Sequence, residues 1–311
     1  MDNKNFNDSI NYPAARLQGG PSGKFVLRQD TPQQSCRVFD RKIRLRKSLG
    51  QHILVDKQIL ERIIERAKLT ASDCVLEIGA GSGELTTALA EKSGRVVSVE
   101  MDSRFTPLLE KLKERFSNLE IIRADILKLD LGGIFSASSR KWKIVANIPY
   151  YLTTPLISTL LEKHNRYIDY MILMVQREVA KRLTAAPGGK DYGAITLMVE
   201  YFSESKILFK VPATSFKPKP KVESAVIMMK ARSNPPVEAD EKILFRLVRA
   251  SFNQRRKKIK NALLGFSSSI DFEGWNQIFK ISKIDPSRRG ETLSLQEFAV
   301  LASAVSSVIN P

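Results

Sequence analysis

Cys74-Val75-Leu76-Glu77-Ile78-Gly79-Ala80-Gly81-Ser82-Gly83 carries the strongest fold signal in the chain. Its first five residues read as a buried strand. Three glycines at alternate positions follow, and then a helical pattern over 84–92. A strand that delivers into a glycine turn and a helix opens a βαβ unit, where the glycines let a ligand lie against bare backbone. Outward from here the alternation repeats. Residues 95–100, 119–123, 142–146 and 170–175 read as strands, and 104–116 and 155–162 as helices. Strands separated by helices of this length run parallel, so the chain is expected to be α/β with a doubly wound, Rossmann-like sheet.

The flanks complete the organisation. Upstream, Ile59, Leu60, Ile63, Ile64 and Ala67 recur at helical steps after Asp56. Downstream, 177–184 and 194–202 are helical around a Pro187-Gly188-Gly189 turn. Residues 207–211 and 224–229 are expected to form an antiparallel pair closing the sheet edge, on either side of Phe216-Lys217-Pro218-Lys219-Pro220-Lys221. Pro235-Pro236 marks a boundary, beyond which 242–250, 254–264, 272–279 and 295–308 read as helices. Three parts follow: a flexible tail at 1–36, an α/β domain at 37–234, and a small α-helical domain at 235–311.

Composition narrows the function classes. Fifty Lys+Arg against 33 Asp+Glu leave a net charge of +17, which draws the chain towards a polyanion, nucleic acid or an anionic membrane surface. Cys36, Cys74, His52 and His164 are too few and too scattered for a disulfide framework, a zinc cluster or a Cys-His pair, so no metal is expected. The uncharged stretch at 144–161 contains Asn147, Pro149 and Pro155 and would make a poor membrane span. A soluble, cytoplasmic protein is expected, as a monomer by default.

The glycine loop alone admits ATP, NAD or S-adenosylmethionine. A phosphate loop needs Gly-Lys-Ser/Thr, whereas Gly83 precedes Glu84, an acid that would repel phosphate. The NAD fingerprint spaces its glycines G-x-G-x-x-G, and here they run G-x-G-x-G. Glu100, ending the second strand, suits a ribose diol, and Asp125, after the third, could accept a hydrogen bond from an adenine amine. The fourth strand leads into Asn147-Ile148-Pro149-Tyr150. An adenine N6 amine is a poor nucleophile because its lone pair is delocalised into the ring. The Asn147 amide oxygen and a carbonyl of this turn can accept its two N–H bonds, favouring the developing sp3 nitrogen. Tyr150 can stack on a flipped-out base, a contact worth roughly 1–3 kcal/mol.

With these motifs together, the chain resembles the ribosomal RNA adenine N6,N6-dimethyltransferases from about Arg46 to about Ala304. The resemblance also rests on 47–54 (Lys-Ser-Leu-Gly-Gln-His-Ile-Leu), on Val211-Pro212, on Phe216 through Ser224, and on Phe252-Asn253-Gln254-Arg255-Arg256-Lys257. It implies a class I methyltransferase sheet and S-adenosylmethionine as methyl donor. It further implies that His52 and Leu54 meet the donor through backbone atoms with Gly79 beneath it. Glu100 would hold the ribose, Asp125 the adenine moiety, and Asn147 would lie between donor and target. Asn147, Pro149 and Tyr150 are the implied catalytic turn, and Phe216 would pack on the target base opposite Tyr150. The family usually has Phe where this chain has Ile53, which keeps the position apolar.

The implied reaction is two methyl transfers to N6 of each of two adjacent adenines near the 3′ end of small-subunit ribosomal RNA, during small-subunit biogenesis. Arg255, Arg256, Lys257 and Lys258, on a helix expected over 254–264, join Lys217, Lys219, Lys221 and a basic run at 37–47 as a phosphate-binding surface. The runner-up is the related large-subunit methylase that confers macrolide resistance. Outside that chemistry stand a non-catalytic ribosome-assembly or transcription factor on the same scaffold, and an NAD-dependent oxidoreductase.

Overall fold

The computed structural model describes residues 52–267 and 270–309. The expected tail at 1–36 and the basic run at 37–47 lie outside the described residues. The described residues belong to one compact unit. It opens with a short strand, β1 (Ile53–Leu54), and α1 (Lys57–Ala67), whose first turn is capped by the Asp56 carboxylate. The alternation then runs β2 (Cys74–Ile78), α2 (Glu84–Lys92), β3 (Arg95–Glu100), α3 (Thr106–Arg115) and β4 (Leu119–Arg123). It continues with α4 (Leu131–Ser136), β5 (Trp142–Asn147), α5 (Thr153–His164) and β6 (Ile168–Gln176). Next come α6 (Arg177–Leu183), α7 (Ala194–Phe202), β7 (Ser203–Val211), β8 (Phe216–Lys217) and β9 (Ser224–Ala231). The chain ends in α8 (Glu241–Asn253), α9 (Ile259–Leu263), α10 (Phe272–Ser282) and α11 (Leu295–Ile309).

Seven strands form one sheet in the order β4-β3-β2-β5-β6-β9-β7. The first five are mutually parallel, and β9 runs antiparallel between β6 and β7. The expected antiparallel pair is thus present, with β9 inserted next to β6 and β7 at the edge. β2 is followed by β3 on one side and, after β4, by β5 on the other. The crevice at the carboxyl ends of β2 and β5 is the switch point where open α/β sheets hold ligands. β1 and β8 form a separate two-stranded antiparallel ribbon that sequence patterning did not anticipate.

Strands buried on both faces supply the core. On one face Leu76, Ile78, Val97, Ile144 and Leu173 pack with Leu156, Leu160 and Phe135; on the other, Val75, Val96, Val145 and Ile172 pack with Ile59, Ile63 and Leu89. A third cluster gathers α8–α11 around Trp275, Phe298 and Leu301, and it includes Tyr192 and, from α7, Leu197 and Tyr201. The helical segment beyond Pro235 therefore shares its core with α7.

One helix expected from sequence is broken. Instead of a helix over 254–264, α8 ends at Asn253, residues 254–257 turn, and α9 starts at Ile259. The cause lies across the fold: Lys258 pairs with Arg289 in an isolated antiparallel bridge, and the Ile259 amide donates to the Arg288 carbonyl at 2.6 Å. Those backbone groups cannot also continue the helical ladder. Ile259 and Leu263 are nonetheless fully buried, with Phe252 packed against the same cluster.

Candidate active site

The glycine loop leaves β2 at the switch point. Gly79 has φ +82°, and a Cβ there would lie 3.5 Å from both the Asn147 carbonyl oxygen and Pro149 Cδ. The loop therefore rests directly on the turn that ends β5. Under it, Glu77 is fully buried; its Oε2 accepts from Thr86 Oγ1 at 2.7 Å and Ser98 Oγ at 2.5 Å, while Oε1 has no partner among the described residues. Burial, reinforced by the nearby Glu100 and Glu84 and opposed by the two hydroxyls, pushes its carboxyl up to about 7.

Beside the loop, Glu100 ends β3. Its carboxylate accepts from the Gly81 amide at 2.9 Å and the Asp102 amide at 2.8 Å, which fixes its orientation at the mouth of the crevice. Burial raises its pKa, opposed by those two amides. Asp125 follows β4, two residues beyond the register partner of Glu100, Arg123, and the Ala124 amide between them donates to the Glu100 carbonyl at 3.2 Å. Its Oδ1 accepts from the Leu127 amide at 3.1 Å.

Across the crevice, Asn147 is the last residue of β5. Its Nδ2 donates to the His52 carbonyl at 3.2 Å, which leaves Oδ1 as the acceptor of that side chain. The Ile148 amide donates to the Met174 carbonyl at 3.3 Å and anchors the turn to β6. Tyr150 lies 5.6 Å from His52, centroid to centroid, with its rings tilted by 34°. Burial raises the Tyr150 phenol, opposed by its hydrogen bond with Ser224.

One cleft is lined by His52, Leu54, Gly79, Glu100, Asp125, Asn147, Pro149 and Tyr150, every residue assigned from sequence to donor or catalysis. Met101 and Tyr151 are among the wall residues that sequence patterning did not single out. Met101 directly follows Glu100 and is exposed, and Tyr151 doubles the aromatic after Tyr150 and is half exposed. Burial raises the Tyr151 phenol, and the Asp125 and Glu100 carboxylates add to the effect. Adjacency to the motifs was the signal for both.

Phe216 stands apart from the cleft-lining residues, although it pairs in register with Leu54, which lines the cleft. Phe216 is 2% exposed and packs with Ile59, Ile63 and Val211. The alternation of β8 sends Lys217 outward and its neighbour inward, so this ring packs into the core. Arg255 is already partnered. Its Nε donates to Glu291 Oε2 at 3.0 Å and its guanidinium also reaches the Lys190 carbonyl at 3.4 Å, so a surface ion pair partly offsets its charge. Arg256, Lys257 and Lys258 are exposed and form no ion pair among the described residues. Lys217, Lys219 and Lys221 are exposed as well.

Known proteins converge on this arrangement. A family described as "Ribosomal RNA adenine dimethylase" matches residues 42–301, which enclose every site residue named above. The chain belongs to the ribosomal RNA adenine dimethylase family. It is 46% identical over 269 residues to the ribosomal RNA small subunit methyltransferase A of Pelotomaculum thermopropionicum, covering 83% of this chain and 90% of that protein. It is 40% identical over 280 residues to the protein of the same name from Alkaliphilus metalliredigens, covering 89% and 97%. Among solved structures, a dimethyladenosine transferase from Plasmodium falciparum superposes with a TM-score of 0.70 at 26% identity, covering 83% of this chain and 98% of that one. The 23S rRNA methyltransferase ErmE superposes at 0.62 with 25% identity, covering 82% and 99%. The sheet of this ribosomal RNA adenine dimethylase is thus the Rossmann-like methyltransferase sheet, with the cleft at its switch point.

The residues of this family member suit S-adenosylmethionine. Two carboxylates at successive strand ends match a ribose diol and an amine, and would oppose a phosphate. Among the described residues, no group of three or more His, Cys, Asp or Glu is placed to hold a metal, and no helix is long and apolar enough to cross a membrane.

Proposed function

We propose that this protein dimethylates N6 of two adjacent adenines near the 3′ end of small-subunit ribosomal RNA, using S-adenosylmethionine, during small-subunit biogenesis. The observation that carries the reading is the Asn147 amide, held by the His52 carbonyl so that Oδ1 remains the acceptor, in the same cleft as Glu100 and Asp125.

The donor supplies a methyl group already activated on a sulfonium, so the protein need only position and polarise. Glu100 holds the ribose, Asp125 the adenine moiety, and Gly79 with the backbone of His52 and Leu54 forms the floor. Asn147 Oδ1 and a carbonyl of the turn accept the two N6–H bonds of the target and direct its lone pair, which is electrostatic preorganisation plus orientation. Tyr150 stacks on the extruded base. Residues 37–234 are the catalytic part and 235–311 the RNA-binding part; Arg256, Lys257 and Lys258 of the second and the lysines of 217–221 of the first contact phosphates. The substrate is a 30S-type precursor subunit, and the protein acts in the cytoplasm as a monomer.

The test is to incubate purified protein with labelled methyl donor and under-methylated small and large subunits. Dimethyladenosine label in the small-subunit RNA is the expected result. Label in the large-subunit RNA would instead assign the macrolide-resistance type of methylase. No label in either would leave a non-catalytic assembly or transcription factor.

A further inference from the structure

The lysine-bearing segment 217–224 is tied to both ends of the Asn147–Tyr150 turn, through His52 at one end and directly at the other, and neither the His52–Pro218 nor the Tyr150–Ser224 bond has a role in the chemistry above. At one end, His52 Nδ1 lies 2.7 Å from the Pro218 carbonyl oxygen. A carbonyl only accepts, so Nδ1 carries the hydrogen. The carbonyl of this same His52 receives Asn147 Nδ2 at 3.2 Å. At the other end, the Tyr150 hydroxyl lies 2.8 Å from Ser224 Oγ. Ser224 is fully buried and starts β9, in register with Gln176 on β6 and Val211 on β7. The segment is itself pinned beside that point, because the Arg177 amide donates to the Glu223 carbonyl at 2.9 Å and the two side chains form an ion pair.

We propose that residues 217–224 brace the methyl-transfer turn, with the His52 imidazole and the Ser224 hydroxyl as positioning residues for Asn147 and Tyr150. The inference rests on the roles given to Asn147 and Tyr150 above. Held only by its Cβ, the Tyr150 ring is free to rotate about two side-chain bonds; fastened at its hydroxyl to a buried serine in a strand paired on both sides, it keeps one pose. His52 links the Pro218 carbonyl through its ring to Asn147 through its backbone, so the segment and the amide share one short bonded path. The same segment exposes Lys217, Lys219 and Lys221. RNA phosphates held there sit on the element that fixes the acceptor and the stacking ring, so substrate binding and site geometry are mechanically joined.

The experiment uses the full-length protein and reads kcat, KM for under-methylated subunits, and donor affinity. Ser224→Ala and Tyr150→Phe should each lower kcat about five- to tenfold, the effect of one lost hydrogen bond on positioning. The double variant should fall no further than either single one, while donor affinity stays within about twofold. His52→Ala should lower kcat similarly. His52→Asn, whose Nδ2 takes the place of Nδ1, should restore most of it, and His52→Gln, whose donor sits further out, should not. Additive losses in the Ser224/Tyr150 cycle, or equal activity of the Asn and Gln variants at 52, would overturn the brace. Asn147→Ala separates the two levels. Full turnover there defeats the reading of the turn itself; an inactive Asn147→Ala with an additive cycle defeats only the brace.

Discussion

Asn147 and Glu77 show how differently two polar residues near the carboxyl ends of neighbouring parallel strands are used. Asn147 is half-buried, with its donor end spent on a backbone carbonyl and its acceptor end left for chemistry. Glu77 is buried completely, reaches no cleft surface, and joins β2 to Ser98 on β3 and Thr86 on α2. Its pKa stands at about 7 against 4.5 for an ordinary glutamate, because burial disfavours the charge. A raised carboxyl pKa means that the native state keeps its proton to higher pH than the unfolded chain. Stability from this group is then highest below about pH 4.5, declines as pH rises towards 7, and levels off, a loss of up to about 3 kcal/mol. Glu77→Gln stays neutral throughout. Its thermal midpoint relative to wild type should therefore climb between pH 5 and pH 8; a constant difference would mean that Glu77 is ionised in the native state across that range.

At the scale of elements, the end of the glycine loop is tightly constrained. Gly83 caps the N-terminus of α2 with φ +88°, its carbonyl accepting from the Thr87 amide at 2.9 Å, and an added Cβ would come 2.4 Å from Leu112 Cδ1 on α3. Gly83→Ala should cost about 1–2 kcal/mol from the left-handed backbone alone, with displacement of Leu112 on top. Denaturant unfolding measures this, and a loss below about 0.5 kcal/mol would refute the steric argument. The loop and the parallel strands were legible because glycine spacing and apolar runs are local signals. The β1–β8 ribbon was not: two residues in each strand are too few for any periodicity to register. The break between α8 and α9 was hidden for another reason. Residues 254–264 carry a helical pattern, and the groups that interrupt it, Arg288 and Arg289, arrive from a distant part of the chain.

Over the whole molecule, the net charge of +17 resolves into cations that are free and cations that are spent. Arg255 binds Glu291, whose carbonyl also receives the Gly188 amide at 2.9 Å, so this pair fastens the turn after α8 to the loop before α7. Arg256, Lys257 and Lys258 project from that fastened turn. Replacing these three together by Ala should weaken RNA binding and flatten the plot of log affinity against log salt by up to about 2–3. Arg255→Ala should instead lower the unfolding midpoint and leave the salt slope nearly unchanged. A slope that responds to Arg255 as strongly as to its neighbours would return that residue to the phosphate surface.

Residue order alone determined the parallel sheet, the glycine turn at its centre, and the motifs whose side chains line the cleft. These follow from short-range spacing, and the switch point collects strand ends whatever lies around them. Tertiary structure alone decided that the Phe216 ring is core, that Arg255 is paired, and that Ser224 and Pro218 hold Tyr150 and His52. Each depends on which residue arrives opposite another across tens of positions. Burial and hydrogen-bond pairing are properties of that meeting, and a linear pattern does not contain it.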